Sequence, residues 1–432
     1  MRKFLLAAVS STVLATAAAA QTEITFWHGM GGALGDATNE IAEMFNASQS
    51  EYRVVPLFKG TYEETLTATI AAFRAGEQPN IVQVFDAGAA TVIGAEGATI
   101  AAADLLAQFG SKPFSPDDYI EGVRNFYADA EGKMIGMPFN SSTPIMYVNT
   151  EAFEKTGLTP PATWEEFEAM APKLAEAGYI PLAQSHLPWI FTENFMSRHN
   201  QPFATNQNGF EGAEGTQVLI KNEHLMNHFA KLKEWKDAGL FGFYGTGWAE
   251  NQTPFQEGKI ALWLGSSASF SGLQQSATMP FSATFLPYWE AVPGAGTNTF
   301  IGGAALFAMS GHPEEENKAA AAFFEFLTSP EVQVHWHKGT GYVPVTPAAY
   351  ELAKSQGYYD EVPSAEIGTL QLMKPGSENT RGYRMGFYVQ IRDVMNREYS
   401  RILNGETSVE DAFNAIEAEA NELLSRFART SS

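Results

Sequence analysis

Cysteine is absent from all 432 residues. That removes disulfides, thiolate metal sites, thiol nucleophiles and cysteine-linked lipid from consideration, so stability has to come from packed cores. Basic residues are scarce: 27 Lys and Arg against 49 Asp and Glu leave a formal net charge of -22. An acidic balance of this size disfavours nucleic acid and anionic membrane as partners, and solubility alone accounts for it. Beyond the first twenty residues there is no long apolar run, internal repeat, low-complexity tract or long linker. The nucleophile-elbow pattern Gly-x-Ser-x-Gly does not occur; Gly265-Ser266-Ser267-Ala268-Ser269 comes nearest and lacks the second glycine. His224 and His228 stand four apart on a predicted helix without a glutamate after His224, and Asn222, Glu223, Asn227 and Lys231 make their surroundings read as solvated surface. His335 and His337, two apart on a helix, point in different directions. No nucleophile, metal cluster or carboxylate pair stands out, so no enzyme is expected, and no cofactor or metal.

What is present begins with Met1-Arg2-Lys3, an apolar Ala-rich run from Phe4 to Ala20, and the small pair Ala18-x-Ala20 before Gln21. This reads as a cleaved secretory signal over residues 1–20. Spanning a bilayer takes roughly 20 strongly apolar residues, whereas this run is interrupted by Ser10, Ser11 and Thr12. The exported product is expected to be soluble, with no stable membrane insertion.

From Glu23 onward short apolar runs alternate with amphipathic segments. Strands are expected at Ile24–His28, Tyr52–Phe58 and Asn80–Phe85, with helices at Ala33–Phe45 and Tyr62–Arg74 between them. Such alternation implies a sheet with parallel pairs and helices on its faces, whose ligands bind outside the carboxyl ends of the strands. Those ends are His28–Gly32, Lys59–Tyr62 and Asp86–Gly88. Further on, helices are expected at Trp164–Ala177 and Glu223–Ala238 and a strand at Ile260–Leu264. The chain is too long for one growing core, so two domains are expected. Ile301 to Met309 reads as a strand, Glu314–Glu316 as the acidic first turn of a helix, and Ser329-Pro330-Glu331 as the start of another that Gly339 and Gly341 end. Near the C-terminus Thr407-x-x-Glu410 has the capping-box spacing, ahead of the apolar stripe Val409, Ala412, Phe413, Ile416, Ala420, Leu423, Leu424 and Phe427.

Anionic oxygens are satisfied by hydroxyls, backbone N–H groups and a forked guanidinium. Ser141-Ser142, Gly265-Ser266, Gly302-Gly303 and Tyr342 supply such donors at expected strand ends and crossings. A buried dianion also needs a fixed positive charge. Arg381, Arg384 and Arg392 are candidates that residue chemistry alone does not separate.

The segment FFEFLTSPEVQVHWHKGTGYVPV, together with TPIMYVNTEAFEKTGLTPPATWEEF and FQEGKIALWLGSSAS, resembles extracytoplasmic solute-binding proteins of ABC importers. FWHGMGGALG, FKGTYEETL, AAFRAGEQPNIVQVFDAG, PFNSSTP, FIGGAALF, TGYVPVT and QIR follow the order of the glycerol-3-phosphate-binding branch, over nearly the whole chain after the signal. The resemblance implies an α/β fold of the two-lobed, maltose-binding-protein-like periplasmic type (type II), with a hinged cleft. Its N-terminal lobe would comprise 21–139 and 299–343, its C-terminal lobe 140–298 and 344–432, with crossings near Pro138–Pro144, Asn298–Phe300 and Tyr342–Pro344. It further implies a periplasmic monomer that takes a small phosphorylated glycerol ligand, either glycerol-3-phosphate or a diester such as glycerophosphocholine, to the permease subunits of an importer. By the same resemblance the QIR context selects Arg392 as the phosphate arginine, with Ser142, Ser266, Gly303 and Tyr342 beside it. Tyr62 and Asp86 match the positions that meet glycerol, although the usual acid is a glutamate, one methylene longer; Asp86 could equally serve as a helix cap ahead of Ala87. Trp189 matches an apolar wall, and His186 stands where relatives carry a second tryptophan, which would leave more room for a head group. An oligosaccharide binder of the same fold and a secreted phosphodiesterase are the alternatives.

Overall fold

The structure, a computed structural model, describes residues 21–129 and 131–430; the expected signal at 1–20 lies outside the described residues. Strands β1 (Thr22–His28), β2 (Tyr52–Phe58), β3 (Ile81–Phe85), β4 (Thr99–Ile100) and β5 (Met137–Ser142) alternate with helices in the first part of the chain. Strands β6 (Pro144–Asn149), β7 (Ile180–Gln184), β8 (Phe241–Gly242), β9 (Ile260–Ser266) and β10 (Phe281–Thr284) follow, and β11 (Gly302–Met309) comes last. They form two sheets. The first has the order β2-β1-β3-β11-β4 with β5 on β11; the second runs β10-β6-β9-β7-β8. β1 is parallel to β2 and β3, while β11 runs antiparallel to β3, β4 and β5.

The expected break at Pro138–Pro144 is a pair of fully buried strands instead, because β5 stays in the first sheet through Ser142 and β6 opens the second at Pro144. Thr143 alone turns the chain from one sheet to the other. The Val343 N–H donates to the Ser141 carbonyl at 2.8 Å and the Ser267 N–H to the Thr143 carbonyl at 2.9 Å, which ties the last crossing to the first.

Local signals placed most helices well. The helix Tyr62–Ala75 starts on a capping box, in which the Glu64 N–H donates to the Thr61 hydroxyl and the Thr61 N–H to the Glu64 carboxylate. The helix Pro330–Thr340 ends on Gly341 at φ 86°, in the left-handed region that suits glycine. The C-terminal helix begins one residue later than its spacing suggested. Ser408, not Thr407, accepts from the N–H three residues on, that of Asp411. Its buried face carries Ala412, Phe413, Ile416, Ala420, Leu424 and Phe427. His228 departs from the sequence reading: it is fully buried among Trp164, Phe191, Phe195 and Trp289, with Nδ1 accepting from the Trp289 indole at 3.1 Å. Glu223 and Asn227 on the same helix are exposed, and Asn222 caps its start. Among the described residues no helix is long and apolar enough to cross a membrane.

Candidate ligand-binding site

A cavity of about 450 Å³ lies where the carboxyl ends of strands from both sheets meet. All nine residues singled out from sequence line it: Tyr62, Asp86, Ser142, His186, Trp189, Ser266, Gly303, Tyr342 and Arg392. Most are delivered by an element boundary or a helix start, and Arg392 by the second turn of the helix Tyr388–Asn404. Tyr62 opens the helix after β2, Asp86 opens the helix after β3, Ser142 and Ser266 end β5 and β9, and Gly303 is the second residue of β11. Tyr342 follows the glycine stop of its helix, and Trp189 begins a π-helical turn, Trp189–Glu193.

A hydroxyl and amide group gathers around the β5–β11 register, where Ser142 is paired with Gly302 and Ser141 with Gly303. The Tyr62 hydroxyl accepts from Asn140 Nδ2 at 2.8 Å; Asn140 accepts from Gln83 Nε2 at 2.9 Å, and Gln83 in turn accepts from the Gly29 N–H at 2.9 Å. This buried relay orients the Tyr62 ring, which stacks on Phe85 at a centroid distance of 5.3 Å. Burial pushes the Tyr62 phenol well above its ordinary range, so it remains a neutral donor. Ser266 Oγ accepts from the Ala268 N–H at 3.1 Å, which leaves its proton to donate.

Glycine is required twice in β11. A Cβ on Gly302 would sit 2.4 Å from the Trp189 ring, and one on Gly303, at φ +87°, would lie 1.8 Å from the Asn140 carbonyl oxygen. Gly303→Ala is therefore expected to cost about 3 kcal/mol of stability, combining left-handed strain with overpacking. Urea denaturation measures it, and a loss below about 1 kcal/mol would show that β5 and β11 can part at no cost.

The second polar group is charged. Arg392 donates through Nη1 and Nη2 to the Asp86 carboxylate at 3.1 and 2.8 Å, and through Nε and Nη2 to Glu193 at 2.7 Å each. Burial alone would lower the Arg392 pKa; the charges of Asp86 and Glu193 outweigh it and raise it well above its ordinary value. The expectation of a lone arginine awaiting a phosphate is corrected here, since its charge is already met by two carboxylates. Asp86 is the first residue of its helix rather than its cap, and Oδ1 also accepts from the Ala87 N–H at 2.8 Å. Arg381 and Arg384 lie elsewhere, stacked over Phe210, with Arg384 bonded to the Phe126 and Ala128 carbonyls.

The His186 Nδ1 accepts from the Trp189 N–H at 3.3 Å, which places the ring proton on Nε2. Burial and then the Arg392 charge push its pKa down to about 3, so the imidazole facing the cavity is neutral. Sequence reasoning missed two residues. Trp248, about sixty positions from Trp189, supplies a second indole to the cavity, 6.5 Å from the first; nothing local to Gly247-Trp248-Ala249 signals this. Glu193 did carry a signal, as a lone acid in the apolar run Trp189-Ile190-Phe191-Thr192.

The chain was compared with known proteins. The sequence profile of the bacterial extracellular solute-binding proteins matches residues 40–361. The sn-glycerol-3-phosphate-binding periplasmic protein UgpB of Rhizobium meliloti is 39% identical over 419 residues, 95% of this chain and 96% of that protein. Its namesake from Yersinia enterocolitica is 38% identical over 420 residues, 96% and 94% of the two chains. Among solved structures, UgpB from Mycobacterium tuberculosis in complex with glycerophosphocholine superposes with a TM-score of 0.79 at 21% identity, covering 94% of this chain and 99% of that one. Maltose-bound MalE3 of T. maritima reaches 0.73 at 19%, covering 93% and 100%. The two-sheet architecture is thus the two-lobed fold of maltose-binding-like proteins, and the relatives are named as binding proteins. With a profile match over most of its length and near-full-length relatives at this identity, the chain belongs to the bacterial extracellular solute-binding proteins.

Proposed function

We propose that the protein is a periplasmic receptor that binds glycerol-3-phosphate or a glycerophosphodiester and passes it unchanged to an ABC importer. The observation that carries this reading is the division of one cavity into two polar groups with aromatic walls between. Uncharged donors suit a phosphate: the hydroxyls of Tyr62, Ser142, Ser266 and Tyr342 and the backbone around Gly303 offer protons to its oxygens. The Asp86–Arg392 pair suits a diol, because a carboxylate accepts and a guanidinium donates to adjacent hydroxyls. Phe85, Trp189 and Trp248 cover the carbon skeleton. The phosphate is therefore assigned to the uncharged donors, and Arg392 to glycerol. The relatives' names, which specify sn-glycerol-3-phosphate, and the glycerophosphocholine held by the M. tuberculosis protein support the same ligand class.

The expected lobes, 21–139 with 299–343 and 140–298 with 344–432, hold in this reading except that Asn140, Ser141 and Ser142 go with the first, because β5 keeps them in the first sheet. Asp86 is contributed by the first and Ser266 by the second, so the ligand bridges them and favours the closed form. Calorimetry with glycerol-3-phosphate and glycerophosphocholine side by side tests the proposal. Glycerophosphocholine should bind at least as tightly, since His186 occupies less space than an indole, and His186→Trp should weaken the diester more than the monoester. Heat from neither compound would overturn the reading, and equal effects of His186→Trp on both would remove His186 from head-group choice.

A further inference from the structure

Glu193 lies behind the cavity, not in its wall. It is fully buried and ends the π-helical turn that begins with Trp189, closed by the Asn194 N–H donating to the Trp189 carbonyl. Turns of this i→i+5 kind recur at functional sites. Four donors converge on its carboxylate. Arg392 Nε and the Tyr388 hydroxyl reach Oε1 at 2.7 and 3.0 Å; Arg392 Nη2 and the Tyr383 hydroxyl reach Oε2 at 2.7 and 3.0 Å. Burial raises the Glu193 pKa, but the two charged bonds from Arg392 Nε and Nη2 oppose this and favour the anion.

Glu193 therefore cancels the Arg392 charge from behind before Asp86 is counted. The cavity sees Asp86 as the surplus, and the three groups sum to one negative charge. We propose that Glu193 is a specificity-determining residue: by neutralising Arg392 it makes the charged part of the cavity accept hydroxyls and refuse a second anionic group. Without it the Asp86–Arg392 pair would be neutral, and a carboxylate or phosphate could take the place of Asp86 on the guanidinium. With it, an incoming anion meets a net negative charge at contact range, where like charges interact strongly.

This rests on the cavity being a glycerol phosphate site, and the test separates the two ideas. Wild-type protein is titrated with glycerol-3-phosphate and with 3-phosphoglycerate, in which a carboxylate replaces the terminal hydroxymethyl group. The second should bind about 100-fold more weakly. Glu193→Gln should narrow that ratio by about tenfold or more, and Glu193→Asp, which keeps the charge, should preserve it. A role confined to folding would weaken both ligands alike and leave the ratio unmoved. Wild-type affinities within about tenfold of each other overturn the inference even if the Gln variant does not fold. Inorganic phosphate provides an arm independent of the natural ligand. The uncharged donors should take one phosphate in either protein; a second phosphate bound per molecule in Glu193→Gln at about tenfold lower concentration than in wild type supports the role, and equal second-site binding overturns it. Silence from both three-carbon ligands overturns the glycerol phosphate reading instead.

Discussion

Lowering the pH from 7.5 to 5.5 is expected to remove about 7 kcal/mol of unfolding free energy through five histidines, one of them the His186 ring beside the cavity, whose pKa is pushed down to about 3. Four of them are almost wholly buried: His28, His199, His228 and His337. Burial pushes their pKa values down, to about 4 for His28 and His337, about 3 for His199, and well below the ordinary value for His228. Their hydrogen bonds describe neutral rings. His199 donates from Nδ1 to the Phe195 carbonyl at 2.7 Å and accepts at Nε2 from the Trp289 N–H at 2.8 Å. His337 donates to the Tyr342 carbonyl at 2.7 Å and contacts the Tyr359 hydroxyl at 3.2 Å through its other nitrogen. The native pKa is depressed below the unfolded value of about 6.5, so the stabilisation is complete above that pH and is lost as pH falls toward 4. Over the interval named, each unfolded histidine takes up almost one proton that its native counterpart does not. That is worth about 1.4 kcal/mol apiece. Urea denaturation at the two pH values measures the difference, and His337→Gln should reduce it by about one fifth. A stability equal at both pH values would mean that the native rings protonate freely and are not enclosed as described.

Arg392→Ala is expected to abolish measurable ligand binding and to cost about 3–5 kcal/mol of stability, because it strands two buried carboxylates that face each other across the lost guanidinium. Binding falls because Asp86 loses the partner that orients it and the glycerol end loses its donor. Stability falls because Glu193, already raised by burial and held back chiefly by the Arg392 charge, loses that compensation. The variant has its own pH signature. Glu193, without the opposing Arg392 charge, would titrate further above its unfolded value, so the deficit relative to wild type should shrink as pH falls from 7.5 to 5.5. Calorimetry and denaturation at both pH values read the two effects. A variant that binds within about tenfold of wild type, or whose deficit does not change with pH, would place the functional charge elsewhere.

These two expectations draw on different parts of what was legible. Helix starts at Tyr62 and Pro330, the stop at Gly341 and the core stripe of the last helix follow from patterns spanning a few residues, because capping and amphipathic spacing are local interactions. The nine cavity residues were legible because each stands in a short motif carried by the resemblance; most of them lie at element boundaries, where an α/β sheet presents its ligands, whereas Arg392 lies one turn inside its helix. The shift from Thr407 to Ser408 shows the limit even there, since both residues can cap and the neighbouring fold selects one.

The sequence by itself, through its motifs and their resemblance, determined the class of fold, the order of its elements and nine of the residues that line the cavity. Tertiary structure alone decided what the site's charges add up to. Asp86 and Arg392 are 306 positions apart, and Glu193 and Arg392 199 apart; no local pattern relates them, and they meet only because two sheets and a π turn converge. The same holds for Trp248, brought beside Trp189 from a separate helix, and for His228, whose polar neighbours in sequence hid an aromatic surrounding in space. A residue's propensity acts over one turn or one strand pair. The net charge and polarity of a cavity depend on which side chains several elements bring within a few ångströms, and that is a property of the folded chain alone.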